Sequence, residues 1–105
     1  MNTVDNCILL QLRKNYTNNV TYLNHKTTAP FEVRRIYYLY GIPENQERGA
    51  HAHKELLQVL IAAAGSFTVE LDDGKNKKKF FLNSPSKGLL IVPGIWRNLT
   101  DFSFG

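Results

Sequence analysis

Apolar residues recur along this chain with a period of two, and no stretch of ten residues carries them at helical spacing. Successive side chains of an extended strand point to opposite faces, so such alternation selects sheets with a buried face. Phe31–Tyr40 is dense in β-branched and aromatic residues and opens after Pro30. It predicts a strand with Phe31, Val33, Arg35, Tyr37 and Leu39 on one face. Leu57–Ala63 is a short apolar run stopped by Gly65, the pattern of a strand buried on both sides. Ser66–Asp72 alternates, with Phe67, Val69 and Leu71 inward. Asp72-Asp73-Gly74 then predicts a hairpin, because glycine supplies the positive φ a tight turn needs, and Phe80–Leu82 returns. Gly88–Pro93 reads as a further strand, and Cys7–Leu12 and Val20–Leu23 as weaker ones. Glu44–Arg48 reads as a loop, and one helical turn is expected near Lys54–Leu57. Short strands separated by turn signals predict an all-β sandwich or barrel, with residues 1–105 as a single domain.

Composition excludes several classes of function. A chain of 105 residues that is 43% hydrophobic and 21% charged resembles an ordinary globular domain. Its longest apolar run, Val59–Ala64, is far shorter than the roughly 20 residues of a membrane-spanning helix, and the start lacks the layout of a signal peptide. One cysteine, Cys7, leaves no internal disulfide and no multi-cysteine zinc site, so a reducing, cytoplasmic setting is expected. Thirteen Lys and Arg against nine Asp and Glu give a net +4. Four of those lysines, Lys75, Lys77, Lys78 and Lys79, start the return strand of the hairpin in solvent. No aromatics interleave with them, so nucleic acid is not an expected partner.

Chemistry concentrates in Arg48-Gly49-Ala50-His51-Ala52-His53-Lys54-Glu55. His51 and His53 stand two apart in an extended segment, so both imidazoles leave the same face. Imidazole titrates near neutrality and can exchange a proton or ligate a metal there. The spacing from His51 and His53 to Gln58 and Gly65 follows the first motif of the cupin barrels. Where metal-binding cupins carry a Glu ligand this chain has Gln58, and after the Pro93-Gly94 turn it has Trp96-Arg97 where they place a third histidine. Two histidines are a poor site for zinc or iron, so proton transfer without metal is the expectation.

Beyond that motif, several further segments resemble the WxcM-like cupins, whose best-known members are nucleotide-sugar 3,4-ketoisomerases. They are Arg35–Tyr40, Arg48–Lys54, Gln58–Ile61, Gly65-Ser66, Leu71–Gly74, Leu82–Pro85, Lys87–Leu89, Pro93–Trp96 and Asp101–Ser103, in register from about Val20 to Ser103. The resemblance implies a cupin-type jelly-roll that works as a homodimer, without metal or other cofactor, on a dTDP-linked 4-keto-6-deoxyhexose. It also implies a role in bacterial surface glycans such as lipopolysaccharide or an S-layer. By resemblance His51 is the base, while His53 orients it or shuttles the second proton. Arg48 is expected at the oxyanion or pyrophosphate, where its fixed guanidinium donors suit either anion. Arg35 shares its strand face with apolar residues and Tyr37. It therefore needs a partner, either a ligand phosphate or sugar hydroxyl or a buried carboxylate. Trp96 is expected in the core or a pocket wall, and by resemblance Tyr37 and Trp96 join Arg35 and Arg48 as substrate contacts.

Two departures from the family are visible. Thr17-Asn18 stands where members carry an Arg-Gly pair that contacts substrate, and members continue past Asp101–Ser103 with a further strand that this chain lacks. The other readings are a non-catalytic cupin that binds a nucleotide sugar or only dimerises, and a cupin sugar epimerase. Exchange of the amino-terminal strands Cys7–Leu12 and Val20–Leu23 across a two-fold axis is the expected route to a dimer.

Overall fold

The computed structural model describes residues 2–15, 20–24, 28–52 and 54–103. A 3-10 turn at Val4–Asn6 leads into β1 (Ile8–Gln11), followed by β2 (Arg13–Asn15) and β3 (Val20–Tyr22). Next come β4 (Arg48–His51), β5 (Gln58–Ile61), β6 (Phe67–Asp72), β7 (Lys77–Leu82), β8 (Lys87–Ile91) and β9 (Trp96–Thr100). One sheet has the order β1-β8-β5, a second β4-β9-β6-β7, and β2 pairs with β3 in a small ribbon. From β4 onward every connection except the β6–β7 hairpin crosses between the two larger sheets, as expected of a jelly-roll. All pairings among the described strands are antiparallel.

The core lies between the two larger sheets. Leu89 and Ile91 of β8, Val69 and Leu71 of β6, and Leu99 of β9 meet there with Cys7, Ala62, Leu82 and Ile95. Their period-two spacing is why these residues form strands, since each strand turns alternate side chains toward the same interior. The predicted inward set Phe67, Val69 and Leu71 is found there, and Phe67 stacks on Phe102 with centroids 5.6 Å apart. The predicted hairpin forms with Asp72 opposite Lys77, a loop of residues 73–76 and Gly74 at φ 93.

Two expectations need correction, and one strand was not foreseen. Phe31–Tyr40 is not a strand: Ile36 is 82% and Tyr40 81% exposed, and Phe31 and Val33 are only half-buried. Alternation is a preference that a ladder must satisfy, and no described strand lies alongside this segment to take up its N–H and C=O groups. No helical turn forms near Lys54–Leu57, where the described residues only bend before β5. Finally, Trp96–Thr100 is a strand, although its polar composition hid it. It lies centrally between β4 and β6, and there its neighbours' hydrogen bonds outweigh local propensity. No helix among the described residues is long and apolar enough to cross a membrane.

Candidate active site

A local irregularity in β4 sets the site. Arg48 pairs with Leu99 and His51 with Arg97, so three steps along β4 match two along β9. Residues three apart point to opposite faces of a regular strand. The extra residue is a bulge, permitted by Gly49 at φ 75, and it brings Arg48 and His51 onto the same face. On β9 that face is the inward one, since Leu99 belongs to the core and Arg97 is 2% exposed, whereas Arg48 and His51, on the edge strand β4, are themselves exposed. The His51 ring folds back along its own strand, with Nε2 3.9 Å from where a Cβ on Gly49 would stand.

Arg97 is the residue that sequence reasoning missed. It was weighed only as a replacement for a metal ligand, yet it shares strand parity with Leu99 and so points into the sandwich. Neither its Nε nor its Nη2 has a hydrogen-bond partner among the described residues. Burial pushes its pKa down from the ordinary arginine value, while Tyr37 and then Cys7 act electrostatically in the opposite direction. Cys7, fully buried across the sandwich, has its thiol pushed up, chiefly by desolvation.

Tyr37 comes from the Phe31–Tyr40 segment. Gln58 Nε2 donates to its hydroxyl at 3.2 Å, and the Arg35 guanidinium sits over its ring, 5.3 Å from the centroid. Arg35 is exposed, so it carries no burial cost and no buried carboxylate is required to meet it. Arg48 turns onto its own loop instead, donating from Nη1 to the Glu47 carbonyl at 2.7 Å and from Nη2 to Gln46 Oε1 at 2.9 Å. That loop is anchored by Asn98, whose Nδ2 donates to Glu47 Oε2 at 3.0 Å.

His51, Arg97, Tyr37, Gln58 and Arg35 are thus connected by one ladder pairing, one hydrogen bond and two electrostatic contacts. Trp96 is not brought to them. It is 37% exposed and lies on the outer face of its sheet, opposite Asp72, because adjacent strand residues point to opposite sides. His53 and the Thr17-Asn18 departure lie outside the described residues. Among the described residues no three His, Cys, Asp or Glu side chains converge as a metal site would need. An imidazole paired across the ladder with a buried cation can move a proton while the cation steadies the negative charge that forms.

Comparison with known proteins identifies relatives of the chain as a whole. The family described as WxcM-like, C-terminal matches residues 5–105. A TDP-4-oxo-6-deoxy-alpha-D-glucose-3,4-oxoisomerase from Aneurinibacillus thermoaerophilus is 43% identical over 81 residues. That stretch is 77% of this chain but 58% of the relative, so the match spans little more than half of it. The solved TDP-quinovose 3,4-ketoisomerase WlaRB from Campylobacter jejuni superposes with a TM-score of 0.89 at 44% identity, over 95% of this chain and 78% of that one. A His-to-Asn mutant of the 3,4-ketoisomerase QdtA from Thermoanaerobacterium thermosaccharolyticum, in complex with TDP-4-keto-6-deoxyglucose, gives 0.89 at 34% identity, over 95% and 74%.

Proposed function

The chain belongs to the WxcM-like, C-terminal family, and on that premise we propose that it is a sugar-nucleotide 3,4-ketoisomerase. Its substrate is a TDP-linked 4-keto-6-deoxyhexose and its product the 3-keto isomer. His51 takes the proton from C3, and the electron pair left behind forms a C3–C4 double bond as the C4 carbonyl becomes an oxyanion. Transfer of the C3 hydroxyl proton to the C4 oxyanion and delivery of a proton to C4 then complete the isomer, with no net change of oxidation state. His53 orients His51 or relays the second proton, and Tyr37 and Arg35 contact the ligand. Arg48 swings from its own loop to the pyrophosphate.

The observation that carries this reading is Arg97: a 2% exposed guanidinium with Nε and Nη2 unpartnered, paired across the ladder with His51. A buried cation with two donor atoms unpartnered among the described residues stands ready for an anion, and the enediolate is the anion this chemistry makes. The same charge repels a divalent cation, which favours a reaction without metal. We further propose that the protein acts as a homodimer in the cytoplasm, in the assembly of bacterial surface glycans.

Incubation with TDP-4-keto-6-deoxyglucose in deuterated water tests the reading, with and without EDTA. The expected result is a 3-keto sugar carrying deuterium at C4, formed equally in both. Deuterium at C3 or C5 with the 4-ketone retained would assign an epimerase, and no exchange would leave a binding protein.

A further inference from the structure

We propose that Gln58 is a substrate-positioning residue, holding Tyr37 through its amide nitrogen and receiving a hexose hydroxyl at its amide oxygen. The inference rests on the sugar-nucleotide reading above. Gln58 opens β5 and pairs with Ile91, a core residue, so its side chain enters the sandwich from the sheet opposite Arg97. Its two polar atoms are used unequally. Nε2 donates to the Tyr37 hydroxyl at 3.2 Å, whereas Oε1 is buried and finds no donor among the described residues.

Each half of the amide has a consequence. A phenol oxygen that accepts from Nε2 keeps its own O–H free to donate elsewhere, so Gln58 fixes the direction in which Tyr37 offers its proton. A buried acceptor without a donor destabilises the empty protein, and that cost is recovered when a ligand supplies the donor. The chemistry of the atom restricts the ligand group: an amide oxygen accepts from O–H or N–H and offers nothing to a phosphate. The anionic part of the ligand belongs with the arginines, and the hydroxyl-bearing hexose with Gln58. A site built to bond a hydroxyl discriminates strongly against an analogue without it.

The test compares the parent protein with Gln58→Leu and the near-isosteric Gln58→Glu, reading TDP affinity by calorimetry and isomerisation by NMR. For Gln58→Leu, TDP affinity should stay within twofold while kcat/KM for TDP-4-keto-6-deoxyglucose falls at least tenfold, the size of one hydrogen bond to a ligand. For Gln58→Glu, kcat/KM should acquire a limb that rises as pH falls, because only the protonated carboxyl can both donate to Tyr37 and accept from the sugar. A purely structural role would not create that limb. Gln58→Leu with kcat/KM within threefold of the parent overturns the proposal, as does a parallel loss of TDP affinity, or a flat ratio of Gln58→Glu to parent activity across pH. If Gln58→Leu does not fold, Gln58→Glu decides alone. Should the parent bind TDP yet turn nothing over, the isomerase reading fails by itself. Gln58 is then judged on the affinity for TDP-4-keto-6-deoxyglucose relative to TDP, which Gln58→Leu must still reduce tenfold.

Discussion

Arg97 places stability and activity in opposition at a single residue. Its guanidinium is buried and two of its donor atoms are unsatisfied, so the folded protein bears a desolvation cost with no internal return. Arg97→Met keeps the volume and removes the charge. It should stabilise the fold by about 1–3 kcal/mol and raise Tm by roughly 4–8 °C per kcal/mol, while isomerase activity collapses. Calorimetric melting beside turnover checks both halves, and a lowered Tm would mean that the guanidinium is held by partners within the fold. His51→Asn removes the proposed base but retains a hydrogen-bonding side chain of similar reach. Turnover should fall about 10²–10⁴-fold with TDP affinity within a few fold, and full activity would transfer the base to His53.

Individual elements are held by close packing on one side and by short polar ties on the other. In β8, a Cβ built on Gly88 would lie 2.6 Å from Val59 Cγ1 and 3.6 Å from Ile61 and Leu12 side-chain atoms. The bulge residue Gly49 meets nothing closer than 3.6 Å, so backbone conformation alone dictates glycine there, whereas at Gly88 the neighbours do. Gly88→Ala should therefore cost about 1–3 kcal/mol by overpacking, read from denaturant unfolding. The 3-10 turn at Val4–Asn6 is tied to the β6–β7 hairpin by Asp73, whose Oδ2 accepts from the Val4 N–H at 3.0 Å, and by Lys78 to Asp5 at 3.6 Å. Hydrogen bonds from the backbones of Asn76, Val4 and Lys75 hold the Asp73 carboxyl below 3.8. A carboxylate with a depressed folded pKa contributes fully above 3.8 and loses its contribution as pH drops through the depressed value. Amide exchange at Val4 should accelerate over that acid window in the parent, whereas Asp73→Ala should show fast exchange with no acid step.

At the scale of the whole molecule, apolar surface lies outside the sandwich as well as inside. Ile8 and Leu9 of β1 are 49% and 42% exposed, and Leu10, Val59 and Ile61 on the outward face of the β1-β8-β5 sheet are only half-buried. Ile36, Tyr38, Leu39 and Tyr40 are exposed in a segment without a strand partner. Covering such side chains is worth roughly 1.5–3 kcal/mol each for the larger aliphatic and aromatic ones, a large share of a small domain's stability. Sedimentation at micromolar concentration should therefore find a dimer, and unfolding midpoints should rise with protein concentration. A compact 12 kDa monomer with cooperative unfolding would refute this.

The sequence by itself determined which side chains of a paired strand face inward and where the tight turns fall, because period-two burial and glycine conformations are local properties. Val69 and Leu71 inward, the Asp72–Gly74 turn and the chemical character of the His51 segment were all legible that way. Tertiary structure decided what depends on a partner strand. Phe31–Tyr40 has a strand's pattern but no described neighbour, and Trp96–Thr100 has a poor pattern but sits between two. The same contingency set the site. Whether Arg48 and His51 share a face turned on one bulged residue, and whether Arg97 or Trp96 points inward turned on the register with β6. A ladder's register is a property of two segments far apart in the chain, so no reading of either segment alone contains it.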